Sequence, residues 1–316
     1  MSEETHIIQF TQTNDGKVLL SCDSLPSGAI IRYEINYPRK KLFVTSGAYL
    51  APIEAPSGSM ILARVFLGKK GISDTQSFQI PINQSQPDQN TPSTLIACTQ
   101  NRDFQIYDWQ SRHQSILDYH RRYEPDLILL GDSITHFWGG QPQDNPTNPN
   151  GNVATDIWDD LFGSYRASNL GYGYDRIENA LWRIEHGELD HTVSNPLIII
   201  HIGTNNLSEN SDDEIIQGMD HLLGIIKTKK PNARLIVHGI LPREIDENHT
   251  TWERLTTLNP QLEICARSHQ ADFISFGEEF LTADKKINTT LISDGVHPNR
   301  KGYEIIAKHL KRLIGT

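Results

Sequence analysis

Three residues in this sequence have the types and spacing for nucleophilic catalysis by a serine. Ser133 follows an apolar run in "LILLGDSITHF", Leu127 to Phe137, and Asp294 and His297 share the segment "SDGVHPN", Ser293 to Asn299. A serine hydroxyl is a weak nucleophile near neutral pH and needs a base within hydrogen-bond reach. Imidazole titrates in the right range. The histidine in turn needs an acceptor on its second nitrogen, which fixes its tautomer and stabilises its charged form. Asp294, three residues before His297, is close enough in one loop to serve. The tetrahedral anion that follows needs hydrogen-bond donors. The backbone N–H of Ser133, an amide of the 171–174 loop and the side chain of Asn205 suit this role, each with about 3 kcal/mol of barrier at stake.

These residues must be held by a scaffold, and the apolar pattern predicts one. Strand-like runs at Leu127–Leu130, Ala167–Leu170, Leu197–Ile202, Leu235–Ile240 and Phe273–Phe276 alternate with helix-like stretches. Near-continuous apolar strands suit a parallel sheet covered on both faces. Asp175 with Glu178, and Ser211 with Glu214, have capping-box spacing. Gly187 ends the first of these helices, and Lys227, Lys229, Lys230 and Pro231 end the second. "NRKGYEIIAKHLKRLIG" predicts a final amphipathic helix. Strand–helix alternation means a doubly wound α/β sheet, in which ligands sit at the carboxyl ends of the strands. "GDSIT", "NLGYGYD" (Asn169 to Asp175), "IGTNN" (Ile202 to Asn206) and "SDGVHPN" all follow predicted strands.

Residues 1–82 read differently. Short alternating runs such as "KVLLSC", "AIIRYEI" and "SMILARVFL" are separated by turn signals at Asn14-Asp15-Gly16, Pro26-Ser27-Gly28, Pro56-Ser57-Gly58 and Gly68-Lys69-Lys70-Gly71. That spacing predicts a small all-β sandwich. The polar, proline-containing "NQSQPDQNTPST" opens a linker over 83–99, and the α/β domain runs from 100 to 316.

Bulk composition narrows the function classes. The 316 residues carry a net charge of −10 with no long basic run, which argues against nucleic acid as a partner. No apolar run approaches the ~20 residues of a membrane span. "MSEETHIIQF" lacks a basic segment followed by an apolar one, so no signal peptide is expected in this chain. As it stands the chain reads as cytoplasmic, and trimmed of a leader it would be periplasmic or secreted. Three dispersed cysteines, Cys22, Cys98 and Cys265, predict neither a disulfide framework nor a metal site. No cofactor is expected.

Taken together the four blocks resemble those of the SGNH (GDSL) hydrolases, in the right order over about residues 100–316. "DRIENALWRIEHGELD" and "LPRE" are similar to the subgroup holding the platelet-activating-factor acetylhydrolase catalytic subunits and bacterial acetylesterases. The resemblance implies a flavodoxin-like three-layer α/β/α fold with a five-stranded parallel sheet and metal-free ester hydrolysis. It implies Ser133 as nucleophile, His297 as base, Asp294 as its orienter and Asn205 as an oxyanion donor. In the family the donor of the second block is the glycine immediately before the Asp. Here Tyr174 stands there, with Gly173 upstream, so Tyr174 N–H is the expected donor and Gly173 the alternative. The N-terminal region resembles the immunoglobulin-like modules of bacterial glycoside-active enzymes, including the chitobiase C-terminal type, in "VLLSCDSLPSGAIIRYEIN" and "MILARVFLGKKGISD".

Other side chains fill supporting roles. His136, Phe137, Trp138 and Asn206 are candidates to line the substrate pocket. Asp132 braces the loops, and His201, inside an apolar strand, belongs to the core. The long segment Gly139 to Asn152 is a candidate binding loop. The expected activity is removal of a small acyl group, acetyl above all, from a carbohydrate or other polar substrate. A lipid-directed acylhydrolase is the second reading and glycan binding through the sandwich the third. The sandwich offers few aromatics for a sugar platform, mainly Tyr33, Tyr37 and Tyr49.

Overall fold

The computed structural model describes residues 6–13, 17–35, 47–53, 59–80, 91–100, 107–142, 152–246 and 249–315. The Asn14-Asp15-Gly16 and Pro56-Ser57-Gly58 turns, Tyr37, residues 83–90 of the expected linker and most of the Gly139–Asn152 loop lie outside them. The chain divides into two compact units, Met1–Gln89 and Asn90–Thr316.

The first unit is a small antiparallel β domain. Gln9–Gln12 pairs with Val18–Ser21. A second sheet is built on Ala29–Ile35 and Met60–Leu67, with Gly47–Ala48, Lys70–Gly71 and Gln76–Gln79 added. Side chains alternate as a pleat requires: Val18 and Leu20 are buried, Leu19 and Ser21 exposed. Ile8, Val18 and Leu20 share one core with Ile31, Ile61 and Val65 from the second sheet and with Ile80, just past its Gln76–Gln79 strand. The rings of Tyr33 and Tyr49 meet edge to face at 6.5 Å.

The second unit carries a five-stranded parallel sheet: β1 (Leu127–Gly131), β2 (Ala167–Gly171), β3 (Leu197–His201), β4 (Arg234–His238) and β5 (Asp272–Ile274). Its order is β5-β4-β3-β1-β2, the flavodoxin-like arrangement. Seven α-helices accompany it among the described residues: α1 (Trp109–Tyr123), α2 (Ser133–His136), α3 (Thr155–Phe162), α4 (Ile177–Arg183), α5 (Asp212–Lys229), α6 (Trp252–Ser268) and α7 (Arg300–Ile314).

The layering follows from the period of two along each strand. Ile128, Leu130, Ile198, Ile200, Leu235 and Val237 face one side and pack with α1, α4, α5 and α6. Leu127, Leu129, Leu197, Ile199 and Ile236 face the other and pack with α3 and α7. Both sides being covered, β1 and β3 are almost wholly apolar, while β2 carries the buried polar residues Ser168 and Asn169. The order reverses between β1 and β3, so their carboxyl ends open the crevice where such sheets bind ligands.

Two local expectations change. The capping box on α5 is present: Glu214 N–H donates to Ser211 Oγ, and Ser211 N–H to Glu214 Oε2. On α4 the capping residue is Arg176, whose N–H donates to Asn179 Oδ1. Asp175 is instead turned inward, 2.8 Å from Arg183 Nε. The expected linker is also shorter. Thr94 Oγ1 donates to the Glu214 carbonyl (2.7 Å) and Asn210 Nδ2 to Ser93 Oγ (2.9 Å), so Ser93 and Thr94 are docked on the second unit.

Candidate active site

The site is built where β1 ends. Asp132 caps α2, its carboxylate accepting from Ile134 N–H at 2.9 Å. Burial pushes that carboxyl up to about 7, and the Ile134 amide offsets part of the rise. Ser133 is the first residue of α2. The helix lies so close to the sheet that both underlying strand ends are glycine. A Cβ on Gly171 would come within 2.1 Å of His136 N, and one on Gly131 within 2.1 Å of Thr135 Oγ1. From α7, Tyr303 Oη donates to the Ile134 carbonyl at 2.7 Å and fixes α2 from the far side.

Ser133 Oγ lies 2.8 Å from His297 Nε2, and His297 Nδ1 lies 2.7 Å from Asp294 Oδ2. The other oxygen of Asp294 accepts from the backbone N–H groups of Val296 (3.0 Å) and His297 (2.7 Å). Partial burial pushes this carboxyl up. The hydrogen bonds from His297 and Val296 outweigh it, and Asp294 sits below the usual carboxylate range. Ionised, it accepts from Nδ1–H, which leaves Nε2 as the acceptor for the serine proton. The loop is held in place by Glu244, whose N–H donates to the Gly295 carbonyl at 2.8 Å. Gly295 has φ +82°. Phe137 packs its ring 4.9 Å from that of His297.

The remaining candidates separate cleanly. Asn205, in the short helical turn after β3, donates from Nδ2 to the Asp175 carbonyl at 2.9 Å. This joins it to the turn that carries Gly173 and Tyr174. Gly173 N–H donates to His136 Nδ1 at 3.1 Å. Burial, with Arg112 and Arg183 adding to it, holds His136 well below the ordinary histidine range, so the ring is a neutral acceptor. Tyr174 is partly exposed and takes φ +66°, a conformation costing a non-glycine residue about 1–2 kcal/mol.

Two expected lining residues sit elsewhere. Trp138 is buried in the core, its ring within 6 Å of those of Trp158, Phe162 and Tyr303. Asn206 is fully buried and spends its amide on structure. Its Oδ1 accepts from Ile177 N–H, and its Nδ2 donates to Glu178 and Asn210. His201 lies in the core against His238, ring centroids 4.1 Å apart.

Sequence reasoning missed the support beneath the 172–175 turn. Tyr107 Oη and Gln100 Nε2 each donate to the Gly173 carbonyl at 2.9 Å. Gln100 and Trp109 also donate to Asp175 Oδ1, both at 2.8 Å. Behind them lies the buried group Arg183, Glu188 and Tyr172, with Arg183 and Glu188 2.8 Å apart. A buried Arg between two carboxylates signals such a network, but nothing local in the sequence assigns Gln100 or Tyr107 to it. Away from the site, donor atoms of Asp220, Cys265 and His269 fall within 4.8 Å of one another. Burial raises the Cys265 thiol to about 11, and His269 is already 2.8 Å from Asp220.

Residues 129–305 match the model of the GDSL-like Lipase/Acylhydrolase family, more than half of the chain. The chain belongs to this family. It is an ester hydrolase of the SGNH type, with an α/β flavodoxin-like domain preceded by a small β domain. Among characterised relatives it is 26% identical over 207 residues to platelet-activating factor acetylhydrolase IB subunit alpha1 from Bos taurus, covering 65% of this chain and 82% of that one. It is 28% identical over the same length to subunit alpha2 from Rattus norvegicus, covering 83% of that chain. A solved structure from Bacteroides fragilis described as an acylhydrolase superposes with a TM-score of 0.50 at 19% identity, over 66% of this chain and 98% of that one. That likeness is one of fold. Among the described residues, no helix is long and apolar enough to cross a membrane.

Proposed function

We propose that this family member removes small acyl groups, acetyl first among them, from a carbohydrate or other polar alcohol through an acyl-Ser133 intermediate. The observation that carries the reading is the unbroken relay from Ser133 Oγ through His297 to Asp294, at 2.8 and 2.7 Å. His297 Nε2 takes the hydroxyl proton as Oγ attacks the ester carbonyl. The anion that forms is met by Ser133 N–H, Asn205 Nδ2 and an amide of the Gly173–Tyr174 stretch. His297 then returns the proton to the leaving alcohol, and the acyl group stays on Oγ. Water, deprotonated by the same nitrogen, releases the carboxylic acid.

The test is kcat/KM across p-nitrophenyl esters from acetyl to octanoyl, with Ser133→Ala alongside. A fall with chain length and loss of turnover in the variant are expected. A rise with chain length overturns the small-acyl assignment, and undiminished turnover in Ser133→Ala overturns the mechanism.

The likeness to the platelet-activating factor acetylhydrolase subunits favours a second reading, a lipid-directed acylhydrolase. It predicts a kcat/KM that rises with acyl or lipid chain length.

A further inference from the structure

Residues Tyr172 to Asp175 form a four-residue turn, closed by Asp175 N–H donating to the Tyr172 carbonyl at 3.1 Å. Tyr174 is its third residue and has φ +66°. Among the common turns, type II places its third residue at positive φ and therefore favours glycine or asparagine there. Type I places the same residue at negative φ. The two differ in the dihedrals on either side of the central peptide, which amounts to flipping that peptide over. In this chain the central peptide is Gly173–Tyr174, and a bulky L-residue at the third position favours the flipped, type I state.

The flip matters because a trans peptide points its C=O and its N–H in opposite directions. Here the Gly173 carbonyl is drawn to the buried side by Tyr107 Oη and Gln100 Nε2, each at 2.9 Å. The N–H of Tyr174 therefore faces the opposite way, on the side of the turn away from the core. Gly173 N–H is committed to His136. Flipped, the same peptide turns a carbonyl lone pair to the side where Tyr174 N–H now points.

We propose that Gln100 and Tyr107 are positioning residues that hold the Gly173–Tyr174 peptide in the orientation that makes Tyr174 N–H an oxyanion donor. The proposal rests on the acyl-serine reading above. It explains how this chain keeps the conformation while carrying tyrosine in place of glycine. The two hydrogen bonds on the carbonyl take over what the missing side chain of a glycine would supply. Tyr107 is a dependable donor: burial and the neighbouring Asp175 push its phenol well above the ordinary tyrosine range. Gln100 gives its second proton to Asp175 Oδ1, so one side chain ties the central peptide to the end of the turn.

The experiment compares Tyr107→Phe, Gln100→Met, the double variant and the double variant carrying Tyr174→Gly, all on p-nitrophenyl acetate. Thermal melts confirm that each is folded. Each single change is expected to lower kcat roughly tenfold with KM little altered. The pair approaches the roughly 10²–10³-fold cost of losing one oxyanion donor. Tyr174→Gly is expected to restore most of the lost kcat in the double variant, because glycine takes the positive φ without the clamp. A double variant with wild-type kcat overturns the proposal. So does a kcat loss that Tyr174→Gly leaves untouched, since that is the mark of general loosening. Ser133→Ala, measured in parallel, separates the outcomes: undiminished turnover there removes the acyl-serine reading itself, whatever the clamp variants do.

Discussion

The side-chain amide of Asn205 donates a 2.9 Å hydrogen bond to the backbone carbonyl of Asp175. One of its two protons is thereby used to fix the direction of the other. The same bond ties the loop after β3 to the turn after β2, so two prospective oxyanion donors come as a joined pair. Asn205→Ala is expected to lower kcat on p-nitrophenyl acetate by roughly 10²–10³-fold, with KM little changed. Steady-state kinetics checks this, and a change confined to KM would remove Asn205 from the oxyanion site.

Asp294→Asn keeps one oxygen for the Val296 and His297 amides and replaces the other with an NH₂ group facing His297 Nδ1. That group donates rather than accepts, so the imidazole moves its proton to Nε2 and can no longer take one from Ser133. A drop in kcat of roughly 10³–10⁴-fold is expected, with the fold unchanged. Retention of more than a tenth of the activity would show that Asp294 does not set the tautomer.

The domain's stability should fall in acid partly through His120. It is fully buried against Ser168 Oγ at 2.7 Å, and burial holds it at about 4. Above the unfolded value of about 6.5 it is neutral in both states and contributes no pH dependence. Between about 6.5 and 4 the unfolded chain takes up a proton that the native state does not, so stability is lost as pH falls. The loss due to this residue is on the order of 2 kcal/mol at pH 5. His120→Gln, which keeps a partner for Ser168, should lose less stability than the wild type between pH 7 and 5. Denaturant titrations at the two pH values measure it, and parallel losses would contradict it.

Gly171→Ala places a methyl group 2.1 Å from the backbone nitrogen of His136. The obstacle is backbone, so no rotamer change relieves it, and α2 must move off the sheet. Stability is expected to fall by about 3 kcal/mol or more, with activity lost even where the protein stays folded. An active Gly171→Ala enzyme of near-normal melting temperature would show that α2 has slack.

The strands and the chemistry-bearing segments were readable because each is written locally. Leu127–Gly131 and Leu197–His201 are unbroken apolar runs, and "GDSIT" and "SDGVHPN" carry their chemistry within a few residues. What was misread depends on partners far along the chain. Asp175 and Glu178 have capping-box spacing, but Trp109, Gln100 and Arg183 take the Asp175 carboxylate inward. Ser93–Leu95 is polar like a linker, and only Glu214 and Asn210, more than a hundred residues on, reveal that it is docked. Trp138 stands beside the site in sequence, yet one turn of α2 carries it into the core. The clamp on Gly173 spans 73 residues from Gln100 and 66 from Tyr107, with no motif to announce it.

Ser133 and His297 are 164 residues apart along the chain. Closing a contact of that span is slow, and a domain of this size commonly passes through partly organised states. Helices and single βα units can form long before α7 and the Asp294–His297 loop come home to β1. Ester turnover is therefore a clock for the final closure of the sheet. On dilution from denaturant, far-ultraviolet ellipticity should recover ahead of activity, and the interval between them measures how late the last loop arrives.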